Sequence, residues 1–163
     1  MEPNHAKIGI ETKYDDSDEI EVEFLWADHL EGNRYQLKNF PFFAYGVSFN
    51  DIVEAEIKYD DDPFPYFTKV LEKSGHRTIR MILDEPAKES TRSKNILSQL
   101  ESMDCGYEGS NGEVYFVINV QPHCDYYAVR DFLKDENIRW EYADPTYEEV
   151  HQNETSSSPW LTN

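Results

Sequence analysis

Apolar and polar residues alternate along several short stretches in the first half of the chain. Between residues 20 and 26 every second position is apolar and glutamates stand between, which is the period of a half-buried β-strand. The turn Glu31-Gly32-Asn33 within residues 20–38 predicts a hairpin. With further strands predicted at residues 52–57 and 66–72, this part should form a small β-barrel or a curled antiparallel sheet. The apolar residues of the first strand are Ile20, Val22, Phe24 and Trp26.

Helices and strands alternate in the second half of the chain. A strand is predicted at residues 78–83, and an amphipathic helix capped by Ser90 or Thr91 follows as far as residue 103. A hairpin over residues 105–120, a helix from the Asp125 cap to residue 136 and a strand at residues 138–142 complete the pattern. The order strand, helix, strand, strand, helix, strand is the split βαβ arrangement of ferredoxin-like domains. The sequence therefore predicts an α+β protein with a ferredoxin-like βαββαβ second half.

These elements divide the chain into four regions. Residues 1–19 are expected to be a flexible acidic lead-in, residues 20–77 the barrel-like part and residues 78–145 the ferredoxin-like part. Residues 146–163 are expected to form a C-terminal extension, with one more helical turn, and a serine-rich flexible tail. Trp160 in that tail is expected to dock on the protein itself or on a partner.

The balance of charge indicates what kind of partner the protein could bind. The chain has 15 Lys plus Arg against 33 Asp plus Glu, a formal net charge of −18 at pH 7. Such a surface repels nucleic acid and anionic membranes, because those affinities depend on Lys and Arg at phosphates. It favours a basic protein partner, whose encounter it accelerates. The alternative is that the charge serves solubility alone.

Neither export nor insertion in a membrane is expected. The N-terminal stretch MEPNHAKIGIETKYDD has no basic segment followed by an apolar one, and no apolar run reaches the length of a membrane span. We therefore expect a cytoplasmic protein, a monomer or a weak dimer. Cys105 and Cys124 do not make a disulfide framework and are expected to be structural or incidental.

Acidic segments are the expected contacts for a basic partner. One precedes the first predicted strand, one lies in the loop at residues 60–62, and one belongs to the second helix of the second half. The aromatic segment at residues 39–46 is expected to be chiefly core, and an exposed interface cluster is the alternative. The partner-binding candidates are Asp15, Asp16, Asp18, Glu19, Asp60, Asp61, Asp62, Asp131, Asp135 and Glu136.

The most basic segment, Lys69 to Leu83, is expected to be structural. Gly75 is expected to take a positive φ in a turn, and His76 is expected to bond a backbone group, with action as a base the alternative. Arg77 and Arg80 are expected to pair with internal carboxylates where the two halves of the fold meet.

Sequence signatures of catalysis and metal binding are missing. The chain has no Walker loop, dinucleotide-binding glycine fingerprint, HExxH motif or nucleophile elbow. His123, Cys124 and Asp125 are adjacent and rarely converge on one ion, and residues 60–62 lack the spacing of a calcium loop. We therefore expect no cofactor, no metal and no enzymatic activity, and an enzyme that uses His76 is the remaining alternative.

The order of motifs in residues 20–142 resembles the bacterial family catalogued as domain of unknown function 4265. The resemblance implies a shared architecture and a bacterial setting, and it assigns no catalytic residue. The motifs are Glu23-Phe24-Leu25-Trp26, Asn39-Phe40-Pro41-Phe42-Phe43-Ala44, Phe49-Asn50-Asp51-Ile52-Val53, Lys73-Ser74-Gly75-His76-Arg77-Thr78-Ile79-Arg80, Asp125-Tyr126-Tyr127-Ala128-Val129-Arg130-Asp131-Phe132-Leu133 and Trp140-Glu141-Tyr142.

These observations favour an immunity protein as the leading functional hypothesis. The net charge of −18, the missing catalytic motif and the missing export signal fit an inhibitor that covers the basic surface or active cleft of a toxin domain encoded nearby. High affinity would come from aromatic anchors, and charge would tune the rate of encounter. The alternative is a regulatory module that senses a small molecule bound between the two halves.

Overall fold

The computed structural model describes residues 4–14, 17–110 and 112–157, and it shows a mixed α+β fold with two antiparallel sheets. The first sheet contains β1 to β5 and the second contains β6 to β9. The strands are β1 (Asn4–Lys13), β2 (Ile20–His29), β3 (Arg34–Leu37), β4 (Ile52–Ile57), β5 (Pro65–Glu72), β6 (Arg77–Ile82), β7 (Cys105–Gly109), β8 (Tyr115–Val120) and β9 (Arg139–Asp144). The helices are α1 (Thr91–Ser102), α2 (Tyr126–Asp135) and α3 (Tyr147–Ser157), with a short 3-10 turn at Ala87–Glu89.

The first sheet is curled, with the strand order β1-β2-β3-β4-β5. Successive strands pair antiparallel, and β1 returns to β5 through one parallel residue pair, Gly9 with Tyr66. The concave side holds a core of its own. At this closing contact the Tyr66 ring lies against Gly9, where a Cβ atom would stand 2.6 Å from a ring carbon, so the close approach requires glycine.

Strand β1 corrects the prediction of a flexible lead-in over residues 1–19. Residues 4–13 form a strand that pairs with β2 along its whole length. Ile8 and Ile10 are buried in the core of the first sheet, and their burial stabilises the strand despite the polar residues that flank them. The two candidates Asp15 and Asp16 lie outside the described residues.

Strand β2 forms where the alternation predicts it, but its apolar side faces solvent. Leu25 and Ala27, from the opposite side of the strand, are the residues buried in the core. Alternation with a period of two predicts a strand with two different faces, but it does not identify the face that packs against the core. Here the core lies on the side of Leu25, so the half-buried strand predicted at residues 20–26 is present but exposes its apolar row instead of burying it.

The second sheet has the order β7-β8-β6-β9, and all neighbouring strands are antiparallel. Its apolar side packs with residues of α1 and α2 in the larger of the two cores. Both predicted caps are confirmed: the Ser90 hydroxyl accepts the Ser93 N–H, and the Asp125 carboxylate accepts the N–H groups of Tyr127 and Ala128. These caps fix where the two helices begin.

The C-terminal extension is more helical than predicted. Helix α3 runs from Tyr147 to Ser157, whereas one turn and then a tail are expected from the sequence. Its residue Val150 is buried and joins the second core, which accounts for helix formation in a polar segment. Trp160 lies outside the described residues. No helix in the described ranges is long and apolar enough to cross a membrane.

Candidate functional site

The outward face of β2 carries a row of apolar side chains, which we call the β2 strip: Ile20, Val22, Phe24 and Trp26. They are exposed by 53%, 42%, 42% and 50% respectively. These residues alternate along one strand, so their side chains form one continuous row on one face. Exposed apolar rows of this kind mark surfaces that bind other molecules.

Aromatic residues from β5 and the loop before it widen the β2 strip. The ring of Phe24 lies edge-on to Phe64 with centroids 5.4 Å apart, and its centroid is 6.0 Å from that of Tyr66. Tyr59 in turn lies perpendicular to Tyr66 at 5.2 Å. Tyr66 is nearly buried beneath its neighbours, while Phe64 and Tyr59 remain exposed. The result is an aromatic surface that spans two strands brought together by the closure of the sheet.

The acidic loop Asp60 to Asp62 lies directly beside this aromatic surface. The Tyr66 hydroxyl donates to Asp62 Oδ2 at 2.6 Å, and the Phe64 N–H donates to Asp62 Oδ1 at 3.0 Å. These two bonds, the Tyr66 bond foremost, lower the pKa of Asp62, and the same carboxylate raises the pKa of Tyr66 to about 12. The Asp62 carboxylate is therefore held in place by two hydrogen bonds, whereas Asp60 and Asp61 are exposed to solvent.

The structure separates the predicted partner-binding residues into two groups. Asp18 and Glu19 are exposed immediately before Ile20, so they stand at one end of the β2 strip, and Asp60 to Asp62 stand beside Phe64. The remaining candidates belong to α2, which packs on the second sheet. Asp131 accepts a hydrogen bond from its neighbour Arg130 at 2.9 Å, and the α2 candidates Asp131, Asp135 and Glu136 do not contribute to the aromatic surface.

A second cluster joins the two halves of the fold at Arg80. Its side chain is 1% exposed. Its guanidinium donates to Glu141 Oε1 at 2.9 Å and to the carbonyl oxygens of Pro41, Phe43 and Ala44 at 2.8 to 3.3 Å. It also lies 4.6 Å from the centroid of the Tyr45 ring. Arg80 is thus buried and engaged with protein groups through four of its five donors, which indicates a structural role.

Glu23 holds the same aromatic segment from the other side. Its carboxylate accepts the backbone N–H groups of Phe42, Phe43 and Ala44 at 2.5 to 3.1 Å. The carbonyl groups of Pro41, Phe43 and Ala44 therefore face a buried cation, and the N–H groups of residues 42–44 face an anion. Sequence reasoning assigned the segment mainly to the core; the structure shows it as an ordered connection between the sheets, in which Ala44 is buried and Phe43 is exposed.

Lys73 organises a third cluster, which sequence reasoning missed. Its ammonium group donates to Asp51 Oδ2 and to Asp144 Oδ2, each at 2.6 Å, and to the Gly46 carbonyl at 3.1 Å. Asp51 is fully buried and also accepts the N–H groups of Ser48 and Ser74. The signal available in the sequence is the dipeptide Asn50-Asp51 after an aromatic turn, but a buried aspartate cannot be told from a turn aspartate by pattern alone.

Burial and hydrogen bonding have opposite effects on the pKa values of Asp144 and Lys73 in this cluster. Burial raises the pKa of Asp144, although hydrogen bonds from Lys73 and Ser48 oppose it. Burial lowers the pKa of Lys73, but its bonds to Asp144 and Asp51 outweigh that effect and raise it. Ser48 donates to Asp144 Oδ2 at 2.5 Å and lies 2.7 Å from the Thr78 hydroxyl oxygen. With every partner engaged, the cluster fits a structural role at the seam between the sheets.

An open cleft of about 630 Å³ borders the Lys73 cluster, and His76 lies in its lining. The His76 Nδ1 atom is 3.0 Å from the Asn119 side-chain nitrogen, and the ring meets Phe49 edge-on at 5.2 Å. Burial lowers the pKa of His76, with smaller opposing effects from Asn119 and Asp51, so the neutral ring is favoured. The other lining residues are Gln36, Asn50, Ile52, Glu72, Lys73 and Ser74.

The remaining residues of the basic segment make structural contacts. Gly75 has φ of 97° and lies against Pro122, so its predicted positive φ is present. Arg77 donates to the Cys124 carbonyl at 2.7 Å and lies over the Tyr126 ring, so a backbone group takes the place of the expected carboxylate. Among residues 4–14, 17–110 and 112–157, no group of three or more His, Cys, Asp and Glu side chains could hold a metal ion.

Comparisons with known proteins establish the fold and the family. A structure titled "Novel crystal structure of a hypothetical protein from Neisseria gonorrhoeae" matches with a TM-score of 0.72 at 20% identity, covering 88% of this chain and 96% of that chain. At this identity the likeness shows the fold alone. Curated proteins yield no match. The model of the family described as "Domain of unknown function (DUF4265)" matches residues 23–142, which include the β2 strip from Phe24 onward, the Arg80 cluster and the Lys73 cluster except Asp144. The protein therefore belongs to the DUF4265 family.

Proposed function

We propose that this protein is a non-enzymatic acidic binding protein that acts as an immunity protein, neutralising a toxin domain encoded nearby by covering its basic surface or active cleft. The observation that carries the proposal is the β2 strip, with Phe24 and Trp26 exposed beside the carboxylates of Asp60 to Asp62. Protein interfaces combine aromatic anchors at the centre with a polar rim, which is the composition found here.

Charge supports a basic partner over other classes of ligand. The net charge of −18 would steer a basic protein toward this face and repel nucleic acid and anionic membranes. The cation nearest the strip, Lys7, lies 5.0 Å from the Trp26 ring centroid, and Lys58 is paired with Glu11. Both of these cations are thus engaged with the protein. Lys13, opposite Ile20, is an exposed cation at one end of the strip, and the exposed carboxylates of Asp18, Glu19, Asp60 and Asp61 outnumber it. We assign the protein to the cytoplasm as part of this proposal, since a cytoplasmic inhibitor protects the cell that makes the toxin.

We also assign the second half to the ferredoxin-like class. Its element order β6-α1-β7-β8-α2-β9 and its sheet order β7-β8-β6-β9 support that assignment. The curled first sheet is taken as a small barrel closed at Gly9 and Tyr66. On this view the second half is a rigid support, and the first half presents the binding face.

The proposal is tested by co-expression with basic proteins encoded beside this chain. The double variant Phe24→Ala/Trp26→Ala should lose co-purification and protection from toxicity. Tyr147→Ala is the matched control, because Tyr147 is an aromatic residue 59% exposed on α3 of the other half. Replacing Asp60 and Asp61 by Asn should slow association and weaken its dependence on salt. Normal binding and protection by the Phe24/Trp26 double variant would refute the proposal.

A second candidate function, binding of a small molecule, rests on the cleft at His76. It offers hydrogen-bonding groups from Gln36, Asn50 and Glu72 in an open space of about 630 Å³. Its occupant would be an uncharged polar molecule rather than an anion, because all three Lys73 donors are already used. Mass spectrometry of the purified protein under native conditions tests it: a bound metabolite that is lost in His76→Ala would favour this function, and its absence would not affect the first proposal.

A further inference from the structure

We propose that the partner binds by adding an extended strand to the open edge of β2 between Ile20 and Phe24. This inference rests on the proposed function and specifies how the basic partner is held. Strand addition places backbone hydrogen bonds along the edge, and the alternate side chains of the incoming strand then lie beside the β2 strip. The binding face is thereby two-sided, with a backbone edge for affinity and an aromatic surface for specificity.

The ladder geometry shows which backbone groups of β2 are available. In an antiparallel sheet, alternate residues of a strand direct their N–H and C=O groups to opposite neighbours. The Trp26 carbonyl accepts the Lys38 N–H at 2.8 Å, and the Leu30 N–H donates to the Arg34 carbonyl at 2.9 Å, so even-numbered residues face β3. The groups of Ile20, Val22 and Phe24 therefore point to the same edge, while odd-numbered residues serve β1.

Strand β3 is too short to cover this edge. It pairs with β2 at Ala27, Asp28 and His29, and the Trp26 N–H is taken by the Asn39 side chain at 2.7 Å. Beyond Trp26, the part of the chain that the structure describes forms no strand pair with the β3 side of β2. From Phe24 to Ile20 the hairpin of β1 and β2 is thus a two-stranded ribbon on this side, without a third strand beside β2. Such unpaired apolar edges readily accept another strand.

Charge selects a basic strand from a partner over a second copy of this chain. The ribbon end carries three exposed carboxylates, those of Asp18, Glu19 and Glu21, against one exposed cation, Lys13, opposite Ile20. Two copies paired edge to edge would bring these carboxylates together, which costs free energy for like charges directly opposite. A strand that alternates Lys or Arg with apolar residues instead places cations near the carboxylates and apolar groups near Val22 and Phe24. The occupant is therefore a basic extended segment of another protein.

Synthetic peptides test the edge without altering the protein. The probe is a nine-residue peptide of alternating Lys and Val, compared by calorimetry with the same peptide N-methylated at alternate residues and with an alternating Glu and Val peptide. N-methylation on the edge-facing side removes the backbone donors and should weaken binding about tenfold or more. The Glu peptide should not bind. Equal affinity of the Lys peptide and both of its N-methylated registers would overturn strand addition, as would failure of the Lys peptide to bind.

A matched pair of variants separates the contribution of the backbone edge to peptide binding from that of the apolar side chains. Val22→Ala removes side-chain atoms and keeps the N–H group, whereas Val22→Pro also removes the donor that faces the open edge and leaves the bonds to β1 intact. Strand addition predicts a much larger loss of peptide binding in Val22→Pro, with circular dichroism confirming that both variants are folded. If the two variants bind equally while Phe24→Ala/Trp26→Ala abolishes binding, the edge inference fails and the proposed function stands. A dimer at physiological salt that Val22→Pro disrupts would identify a second copy as occupant and overturn the inference.

Discussion

The guanidinium of Arg80 and the carboxylate of Glu141 form an ion pair, at 2.9 Å between Nε and Oε1, in which the cation is buried and the carboxylate is 43% exposed. Glu141 also accepts the Tyr45 hydroxyl at 2.7 Å. The pair therefore joins β6 and β9 to the segment that enters from the first sheet. Since three backbone carbonyls complete the shell of Arg80, this contact between halves is directional and specific to arginine.

Replacing Arg80 by Ala should destabilise the protein more than it weakens partner binding. The change leaves the carbonyl groups of Pro41, Phe43 and Ala44 buried without their donors, and the cost should be about 3 to 5 kcal/mol in the free energy of unfolding. Urea unfolding followed by fluorescence measures it. The matched control is Arg92→Ala, because Arg92 is half-exposed in its pair with Asp84 and should contribute less than about 1 kcal/mol. A stable Arg80→Ala protein that no longer binds would restore Arg80 as a binding residue.

Replacing Lys73 by Met should destabilise the protein by about 3 kcal/mol, because it leaves two buried carboxylates facing each other without a cation. The Lys73 side chain is 46% exposed, which places the cost at the lower end of the range for buried pairs. Adding Asp144→Asn to Lys73→Met should recover part of the loss, since one of the two negative charges is then removed. The double-mutant cycle in urea measures the coupling, and an additive result would show that the pair is not coupled.

His76 should make the stability of the protein fall on mild acidification. Burial lowers its folded-state pKa below the ordinary value of about 6.5, so the unfolded chain binds a proton first. The contribution of His76 is therefore present above about pH 6.5 and is lost as pH falls through the folded-state pKa. His76→Gln should flatten the slope of unfolding free energy against pH between about 5 and 7. A direct titration of the His76 ring by NMR should give the same direction, and a raised pKa would contradict it.

Glu23→Ala should loosen the aromatic segment that links the two sheets. Three amides, those of Phe42, Phe43 and Ala44, would lose their acceptor, and their hydrogen exchange should accelerate relative to the core strands. Glu23→Gln, which keeps one acceptor oxygen but loses the other and the charge, should have a smaller effect than Glu23→Ala. The control is Glu21→Ala, an exposed carboxylate two residues earlier on the same strand face. Unchanged exchange in Glu23→Ala would show that Glu23 is not needed to hold the segment, which Arg80 and Tyr115 also contact.

Secondary structure could be predicted where a local signal exists. The alternation at residues 20–26 and the caps at Ser90 and Asp125 are physical causes that act within a few residues, and the elements they specify are present. Strand β1 was missed because its two buried isoleucines are separated by a glycine. Gly9 lowers strand propensity, and the reason for it is the Tyr66 ring, which lies 57 residues away in sequence.

The site was less accessible to sequence reasoning, for two reasons. A period of two identifies the faces of β2 but not which one the curled sheet covers, so the row with Phe24 and Trp26 was assigned to the wrong side. The Lys73 cluster draws Asp51 and Asp144 from opposite halves of the fold. Carboxylates are abundant in so acidic a chain, and the residues around Asp51 and Asp144 do not distinguish these two from carboxylates exposed to solvent. Only the geometry brings Phe24 of β2 next to Phe64 and the acidic loop at Asp62.

The β2 strip should remain free of self-association at low salt and associate weakly at high salt. At low ionic strength the net charge of −18 and the carboxylates at the ribbon end repel a second copy. At about 1 M NaCl the screening length falls to about 3 Å, so repulsion is lost while the apolar attraction remains. Sedimentation velocity should therefore show a monomer in dilute buffer and a concentration-dependent shift in high salt.

Val22→Lys places a cation within the strip and should abolish the high-salt shift, because strands with a central charge resist edge pairing. Tyr147→Ala, which reduces apolar exposure on the other half, should leave that shift unchanged. The reverse pattern would place self-association on α3 and leave the β2 strip without a role in it.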